Sequence, residues 1–275
     1  MITKPTPALL MSAALLFLGG CSVFDGARNE NLAYVARPVE QLYNNAFEAL
    51  STGRYDESVM LFDEVERQHP YSEWASRANL MSAFANYQSR SYEEAISAAR
   101  RYISLHPGND ETVYAYYLIG ICYFEQIVDV GRDQGITENA YAAFEDVVRR
   151  YPETEYAGDA RLKMDMIRDQ LAGKEMEIGR WYLRRNQHLA AINRFREVID
   201  EYETTSHTPE ALYRLTEAYL AIGLRGEALR AASVLGYNYG YSDWYADAYE
   251  LMSDSGQAPE IEPEADGWNF FGLFR

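Results

Sequence analysis

Residues 135–152, GITENAYAAFEDVVRRYP, contain the pattern that decides the fold. Ala140 stands at the sixth position of this stretch, and Phe144 and Val147 stand at the tenth and thirteenth. Spacings of four and three place these side chains on one stripe of an α-helix. Pro152 ends the helix, because proline withholds an N–H donor and fixes φ. The stretch therefore predicts an amphipathic helix that packs one small and two larger apolar residues against a neighbouring element.

The same pattern recurs without gaps in four other stretches. These stretches are residues 53–70, 90–107, 186–203 and 223–240. Their pattern positions hold Ser58, Phe62 and Val65, then Ala95, Ala99 and Tyr102, then Ala191, Phe195 and Val198, then Ala228, Ala232 and Leu235. Each stretch follows another apolar helix, so the two form a hairpin with the stretch as its second helix. Such hairpins cover their apolar faces by stacking on one another. The starts differ by 37, 45, 51 and 37 residues, longer than the roughly 34 of a standard tetratricopeptide repeat. The sequence predicts an all-α tetratricopeptide-repeat superhelix of about five helix-turn-helix repeats.

The longer spacings indicate where the array is irregular. Residues 125–137 break the helical pattern with two glycines and predict a loop that joins the helices of repeat three. The following segment, from residue 155 to 185, is helical throughout and predicts one long helix or a broken pair. We expect a boundary there, with repeats 1–3 in residues 36–154 and repeats 4–5 in residues 155–254. Residues 255–275 predict a flexible acidic tail with an aromatic end, which either docks on a partner or folds back onto repeat five.

The N-terminus carries a pattern for lipid attachment. An apolar run of eleven residues follows one cation; it is typical of a secretory signal and shorter than the roughly 20 residues that span a bilayer. The residues LGGC at 18–21 resemble the lipobox of bacterial lipoproteins. That resemblance implies removal of residues 1–20, acylation of Cys21, and a linker over residues 21–35. Ser22 in place of aspartate implies anchoring at the periplasmic face of the outer membrane.

Charge and motif content exclude several classes of function. The chain carries 25 lysines and arginines against 42 acidic residues, a net charge of -17, which argues against nucleic-acid binding. The four histidines lie far apart, and the chain lacks the motifs of zinc proteases, phosphate-binding loops and serine hydrolases. Cys122 reads as a small buried apolar residue. We expect no catalytic site, no metal and no cofactor other than the lipid on Cys21, although an enzyme assembled from scattered carboxylates stays open.

Taken together, these features resemble the BamD family of the outer-membrane β-barrel assembly (BAM) machinery. The resemblance rests on the lipobox, the long repeats, the GRDQ sequence at 131–134 and the run AINRFREVIDEY at 191–202, and it covers roughly residues 30–240. It implies a non-enzymatic periplasmic scaffold that binds the POTRA domains of BamA, the other BAM lipoproteins and unfolded outer-membrane β-barrel proteins. Arg194 matches an arginine that lies at the BamA contact in this family. The alternative is another periplasmic repeat lipoprotein that coordinates envelope or cell-division proteins.

Candidate binding residues follow from the repeat register. In this architecture the second, fifth, ninth and twelfth positions of each first helix line the concave surface. Aromatic residues crowd these positions in the first three repeats, the expected client-binding subdomain. The candidate groove comprises Tyr43, Phe47, Arg77, Phe84, Tyr87, Tyr114, Tyr117 and Phe124. The same register positions hold Leu80 in repeat two, and Gly173 and Met176 in repeat four. Burial in the core is the alternative for these side chains. In the expected partner-binding subdomain, the alternative for Arg194 is a solvated arginine paired with Glu197.

Overall fold

The computed structural model describes residues 37–129, 134–256 and 259. These residues form eleven α-helices and no strand. The helices are α1 (Val39–Ser51), α2 (Tyr55–Gln68), α3 (Glu73–Gln88), α4 (Tyr92–Leu105), α5 (Thr112–Phe124), α6 (Gly135–Arg150), α7 (Glu155–Leu183), α8 (His188–Glu201), α9 (Thr208–Ala221), α10 (Arg225–Tyr239) and α11 (Asp243–Asp254). Each helix packs on the helix before it and the helix after it. Cys21, the predicted signal and linker, and most of the predicted tail lie outside the described residues.

The five sequence stretches form the second helix of each hairpin, α2, α4, α6, α8 and α10. All fifteen pattern residues are fully buried, which confirms the predicted stripe and the tetratricopeptide-repeat superhelix. Ser58 is the polar member of this set, and its hydroxyl donates a hydrogen bond to the carbonyl of Ala46 at 3.0 Å. That bond satisfies the polar group, so the serine fills a position that alanine fills in the other four repeats.

Glycine permits the two helices of a hairpin to approach closely in repeats three and four. A Cβ on Gly120 of α5 would lie 2.6 Å from the ring of Phe144 on α6. Similarly, a Cβ on Gly179 of α7 would lie 2.4 Å from the ring of Phe195 on α8. No real Cβ makes contacts this short, so each aromatic ring of the pattern occupies space that a glycine on the partner helix leaves open.

The second helices end in a common way. Three of them stop two residues before a proline, with His69, His106 and Tyr151 as C-caps at φ between -131° and -135°. Tyr202 caps α8 at φ -129°, although no proline follows it. The stop predicted from proline is therefore confirmed where proline occurs, and the same backbone conformation forms without it in repeat four.

Repeats three and four contain the irregular segments. The loop prediction for 125–137 is wrong at its end, because α6 already begins at Gly135, and residues 130–133 lie outside the described residues. The segment after it is one helix, α7, of 29 residues, about 44 Å long at 1.5 Å per residue. The hydroxyl of Thr154 caps its first turn by accepting a hydrogen bond from the amide of Ala157 at 3.2 Å.

The last helix, α11, was not predicted as a separate element. It packs on α9 and α10, and its residues Tyr245, Ala248 and Met252 are buried in one cluster with Leu235. A stack of hairpins leaves the apolar face of its last hairpin uncovered, so a further helix is needed to close it. α11 provides that cover at the C-terminal end of the array.

Buried residues form five clusters along the stack instead of one central core. Each cluster draws its main members from consecutive helices, from α1–α3 at one end to α9–α11 at the other. Such a molecule is held together by contacts between neighbours. The division at Thr154 into two subdomains stays a prediction, because α6 packs on α7 as other successive helices pack on each other.

Candidate functional site

Aromatic side chains from α3, α5 and α7 form a continuous ladder across repeats two to four. Ring centroids lie 6.4 Å apart between Phe84 and Tyr114, and 5.7 Å apart between Tyr114 and Tyr156. Tyr117 lies 5.2 Å from Tyr156, and Tyr87 lies 6.2 Å from Phe84. All five are only partly buried. The structure therefore brings four predicted groove residues together and adds Tyr156, and we call these five residues the aromatic ladder.

A hydrogen-bonded carboxylate lies at one end of the ladder. The hydroxyl of Tyr117 donates to Asp159 of α7, and the Lys163 ammonium lies 2.9 Å from the same carboxylate. Burial raises the pKa of Asp159, but the hydrogen bonds from Tyr117 and Lys163 lower the pKa further than burial raises it. The Lys163 nitrogen also lies 5.5 Å from the ring centre of Phe124. Phe124 therefore joins the ladder through this ionic group.

Two other predicted groove residues, Tyr43 and Arg77, form a separate group around Trp74 in repeats one and two, and Phe47 lies one turn of α1 beyond Tyr43. The ring of Tyr43 lies 4.8 Å from that of Trp74, and the Arg77 guanidinium carbon lies 5.9 Å from the Trp74 ring centre. Phe47 is 51% exposed, so this aromatic ring is available to a ligand. Tyr43 also contacts Phe62 of the core at 5.4 Å and is half-buried. No ring contact among the described residues joins these residues to the ladder.

Three concave assignments are wrong. Leu80 is 6% exposed, and Gly173 and Met176 are buried, so all three belong to the core. The register predicted that these positions face the open groove. They are buried because each first helix packs between two neighbouring helices. For the eight candidate groove residues, a role in binding stays a prediction.

Tyr156 was missed because of the way the register was assigned. Counting back from the aligned stretch at residues 186–203 places the first helix of repeat four near Gly173. The preceding turns of α7 then appear only to connect repeat three to repeat four. In the structure those turns pack on α5. Tyr156 follows the N-cap Thr154 by two residues, so the predicted helix start was the signal that could have placed it beside repeat three.

The concave face changes character in repeats four and five. Arg180 of α7 forms an ion pair with Glu210 of α9, with 2.9 Å between nitrogen and oxygen. Arg214 of α9 lies 3.4 Å from Glu210 and 2.9 Å from Glu217. The Glu210 side chain is 14% exposed, so two guanidinium groups share one largely buried carboxylate. An ionic network thus occupies the face that aromatic rings occupy in the preceding repeats.

Arg194 lies on α8, and its guanidinium pairs with Glu175 of α7 at 2.9 Å. Its side chain is 43% exposed, in agreement with the predicted position at the edge of the packed face. The alternative pairing with Glu197 is wrong, because the carboxylate on the neighbouring helix reaches the guanidinium. A role of Arg194 in partner binding stays a prediction.

The described residues offer neither a metal site nor a helix that spans a membrane. No group of three or more His, Cys, Asp or Glu side chains in them could hold a metal ion. None of their helices combines the length and the apolar character needed to cross a membrane. Cys122 is buried as predicted, and burial raises the pKa of its thiol to about 12.

Comparison with known proteins identifies the family. The model of the YfiO family, described as an outer membrane lipoprotein, matches residues 35–235. The protein named outer membrane protein assembly factor BamD of Caulobacter vibrioides is 56% identical over 262 residues, covering 95% of this chain and 86% of that protein. The chain belongs to the BamD family. The BamD proteins of Rickettsia prowazekii and Neisseria meningitidis are 44% and 32% identical, and the alignments cover 92% and 77% of this chain and 98% and 83% of theirs. The resemblance to BamD predicted from the sequence is thereby confirmed, as is the association with outer-membrane protein assembly that these names carry.

Proposed function

We propose that this BamD-family chain is a non-enzymatic scaffold of outer-membrane protein assembly, anchored by a lipid on Cys21 at the periplasmic face of the outer membrane. It holds unfolded β-barrel proteins on the concave face of repeats 1–3. It binds the POTRA domains of BamA, and other BAM lipoproteins, through repeats 4–5. The observation that carries the proposal is the aromatic ladder, a partly exposed row of five rings in a family named for outer-membrane protein assembly.

The ladder has the chemistry that an extended, aromatic-rich segment requires. Aromatic rings offer a large apolar surface, and pairs with centroids 4.5–7 Å apart contribute roughly 0.5–1.5 kcal/mol beyond their buried area. The hydroxyl of Tyr117 already donates to Asp159, and the other tyrosine hydroxyls of the ladder remain available for hydrogen bonds to a peptide backbone. Arg77, in the separate group beside Trp74, supplies a cation suited to a carboxylate of the client. A β-barrel segment alternates apolar and polar side chains, so one of its faces matches the rings.

The test of client binding is photocrosslinking to a C-terminal peptide of a β-barrel protein. We expect Phe84→Ala with Tyr87→Ala to reduce the crosslinking yield several-fold while helicity is unchanged, because the substitutions remove two adjacent rings. The matched control is Met60→Ala with Leu105→Ala, since both residues are exposed apolar side chains on second helices. Normal crosslinking by the folded ladder variant contradicts the proposal, and loss of helicity assigns these rings to the core.

Arg194 is proposed to contact BamA directly. Substitution Arg194→Glu removes the cation and places two carboxylates together, so we expect co-purification with BamA to fall. Glu175→Gln is the matched control, because it breaks the same ion pair and leaves the arginine in place. Direct contact requires that Arg194→Glu weakens binding and Glu175→Gln does not. Equal losses in the two variants attribute the effect to the ion pair that joins α7 and α8.

The lipid anchor is tested separately. Cys21→Ser removes the acyl acceptor, so palmitate incorporation is expected to disappear and the chain to leave the membrane fraction. Undiminished labelling of that variant would contradict the anchor without bearing on the ladder.

A further inference from the structure

Residues 178–196 form a strongly basic stretch in an acidic chain. They contain five arginines and no aspartate or glutamate. Three of these arginines are neutralised, because Arg180, Arg194 and Arg196 pair with Glu210, Glu175 and Asp200. Arg184 and Arg185 take part in none of the ion pairs that the described residues form with one another. Two cationic groups therefore remain without a carboxylate at the turn between α7 and α8.

Apolar side chains accompany these two cations. The Arg185 guanidinium carbon lies 3.7 Å from the ring centre of Trp181, close enough for a stacked cation–π contact. Trp181 is 40% exposed, and Leu189 in the first turn of α8 is 70% exposed. Stacking on a ring fixes the plane of a guanidinium group and leaves its edge N–H donors free for a carboxylate. We call Trp181, Arg184, Arg185 and Leu189 the repeat-four turn surface.

The direction of the helices places this surface on the same rim of the stack as the end of α11. Short turns join successive helices, so they run antiparallel and all odd-numbered helices share one direction. Leu183, Ala221 and Asp254, the last residues of α7, α9 and α11, consequently lie on one rim. α11 packs on α9, and the Arg180–Glu210 pair links α9 to α7. With packed helices roughly 8–10 Å apart or somewhat more, the end of α11 lies about 20–30 Å from the repeat-four turn surface.

We propose that the acidic segment at residues 260–266 of the same chain docks on the repeat-four turn surface. The segment reads EIEPEAD and carries four carboxylates without a cation. Glu264 and Asp266 follow Gly256, just beyond α11, by eight and ten residues, and chains of those lengths reach at most about 26–29 Å and 33–36 Å. These two carboxylates are therefore the ones that can reach the repeat-four turn surface, and length and charge both suit this occupant.

Tethering makes such a contact effective although each ion pair is weak. Exposed pairs contribute about 0–1 kcal/mol each, but a short connection within one chain gives an effective concentration on the order of millimolar. The contact should weaken with salt, since exposed charges are screened over about 8–10 Å at physiological ionic strength. An acidic segment of another protein must displace these residues before it can use the repeat-four turn surface.

Zero-length carbodiimide crosslinking on the full-length chain in detergent tests the contact. Arg184→Lys with Arg185→Lys keeps both charges and supplies two amines that can couple to carboxylates. Mass spectrometry should then find crosslinks within one chain from positions 184 and 185 to Glu264 and Asp266, and their yield should fall several-fold at high salt. Neutralising Glu260, Glu262, Glu264 and Asp266 to their amides should abolish these crosslinks while the circular dichroism is unchanged.

Arg90→Lys is the matched control. Arg90 lies in the corresponding turn between α3 and α4, on the same rim but two first helices further from α11. A tethered segment that samples the whole rim would couple to positions 90 and 184–185 with similar yield, and that result overturns the proposal. It is equally overturned by crosslinks that form only between two chains, or by their absence from positions 184 and 185.

Discussion

The first three repeats and the last two present different chemistry on the same concave face. Between α3 and the start of α7 the face is a row of aromatic rings, whereas between the end of α7 and α9 it is a network of arginines and glutamates. Beneath both faces the packing is alike in repeats three and four, where a glycine on the first helix accommodates a phenylalanine of the second. Stacked hairpins thus separate the residues that hold the fold from those that determine what the surface binds.

The largest effect tests whether the two cores are equivalent. Phe144→Ala in repeat three and Phe195→Ala in repeat four each remove a fully buried ring, and each should lower the free energy of unfolding by about 3–5 kcal/mol. Urea denaturation measures both. A much smaller loss at one position would mean that the two halves differ in packing as well as in surface chemistry.

The next effect concerns the glycines opposite these rings. Gly120→Ala and Gly179→Ala each place a methyl group against an aromatic ring, so each should cost about 1–3 kcal/mol through overpacking. Gly158→Ala on the exposed side of α7 is the control, because nothing lies within 4 Å of its Cβ position; it should stabilise the helix by roughly 0.5–1 kcal/mol. Thermal unfolding should therefore show opposite signs, and a gain in stability for Gly179→Ala would show that the ring of Phe195 moves away freely.

A smaller effect distinguishes the ionic face from the aromatic one. Glu210→Gln leaves Arg180 and Arg214 without their shared carboxylate and should cost about 1–2 kcal/mol at low salt. This cost should shrink as salt is added, because screening weakens the ion pairs that are lost. The cost of Phe84→Ala should not change with salt. Urea midpoints at two ionic strengths measure both, and equal salt dependence would contradict the contrast between the two faces.

The smallest effect is a pH dependence at the end of the aromatic ladder. The folded protein holds the pKa of Asp159 below its ordinary value of 3.8, so the ionised carboxylate stabilises the fold above that pH. The contribution is lost as pH falls through the lowered folded-state pKa. Asp159→Asn should therefore cost less than about 1 kcal/mol near neutral pH, and the difference from the parent should vanish in strong acid. A cost that is unchanged in acid would exclude the carboxylate charge as its cause.

Much of the fold was predictable because the same spacing of buried residues occurs in all five repeats. The spacing of Ala140, Phe144 and Val147, repeated along the chain, identified every second helix, and all the residues it marked are buried. The same rule failed for α11, which has no pairing helix and therefore no repeat signature. It also misassigned the first half of α7, because an alignment without gaps cannot count extra helical turns.

The candidate site was less predictable than the fold. Register identified Phe84, Tyr87, Tyr114 and Tyr117 as neighbours, since they lie at fixed positions of consecutive first helices. It could not identify Tyr156 or the carboxylate of Asp159, which reach the ladder only because α7 extends beside α5. The register also could not decide which glutamate pairs with Arg194. Glu197 is close to Arg194 in the sequence, whereas Glu175 approaches it only in the folded structure.

The sequence by itself therefore determined the helix period and the buried stripe, which depend on residues a few positions apart, and the repeat number and the family, which depend on how such short patterns recur along the chain. The tertiary structure decided which side chains meet across helices, including the aromatic ladder, the ionic face and the exposure of Trp181, Arg184 and Arg185. These depend on how far each hairpin turns relative to the next. That angle results from packing along the whole length of two helices, and no local pattern records it.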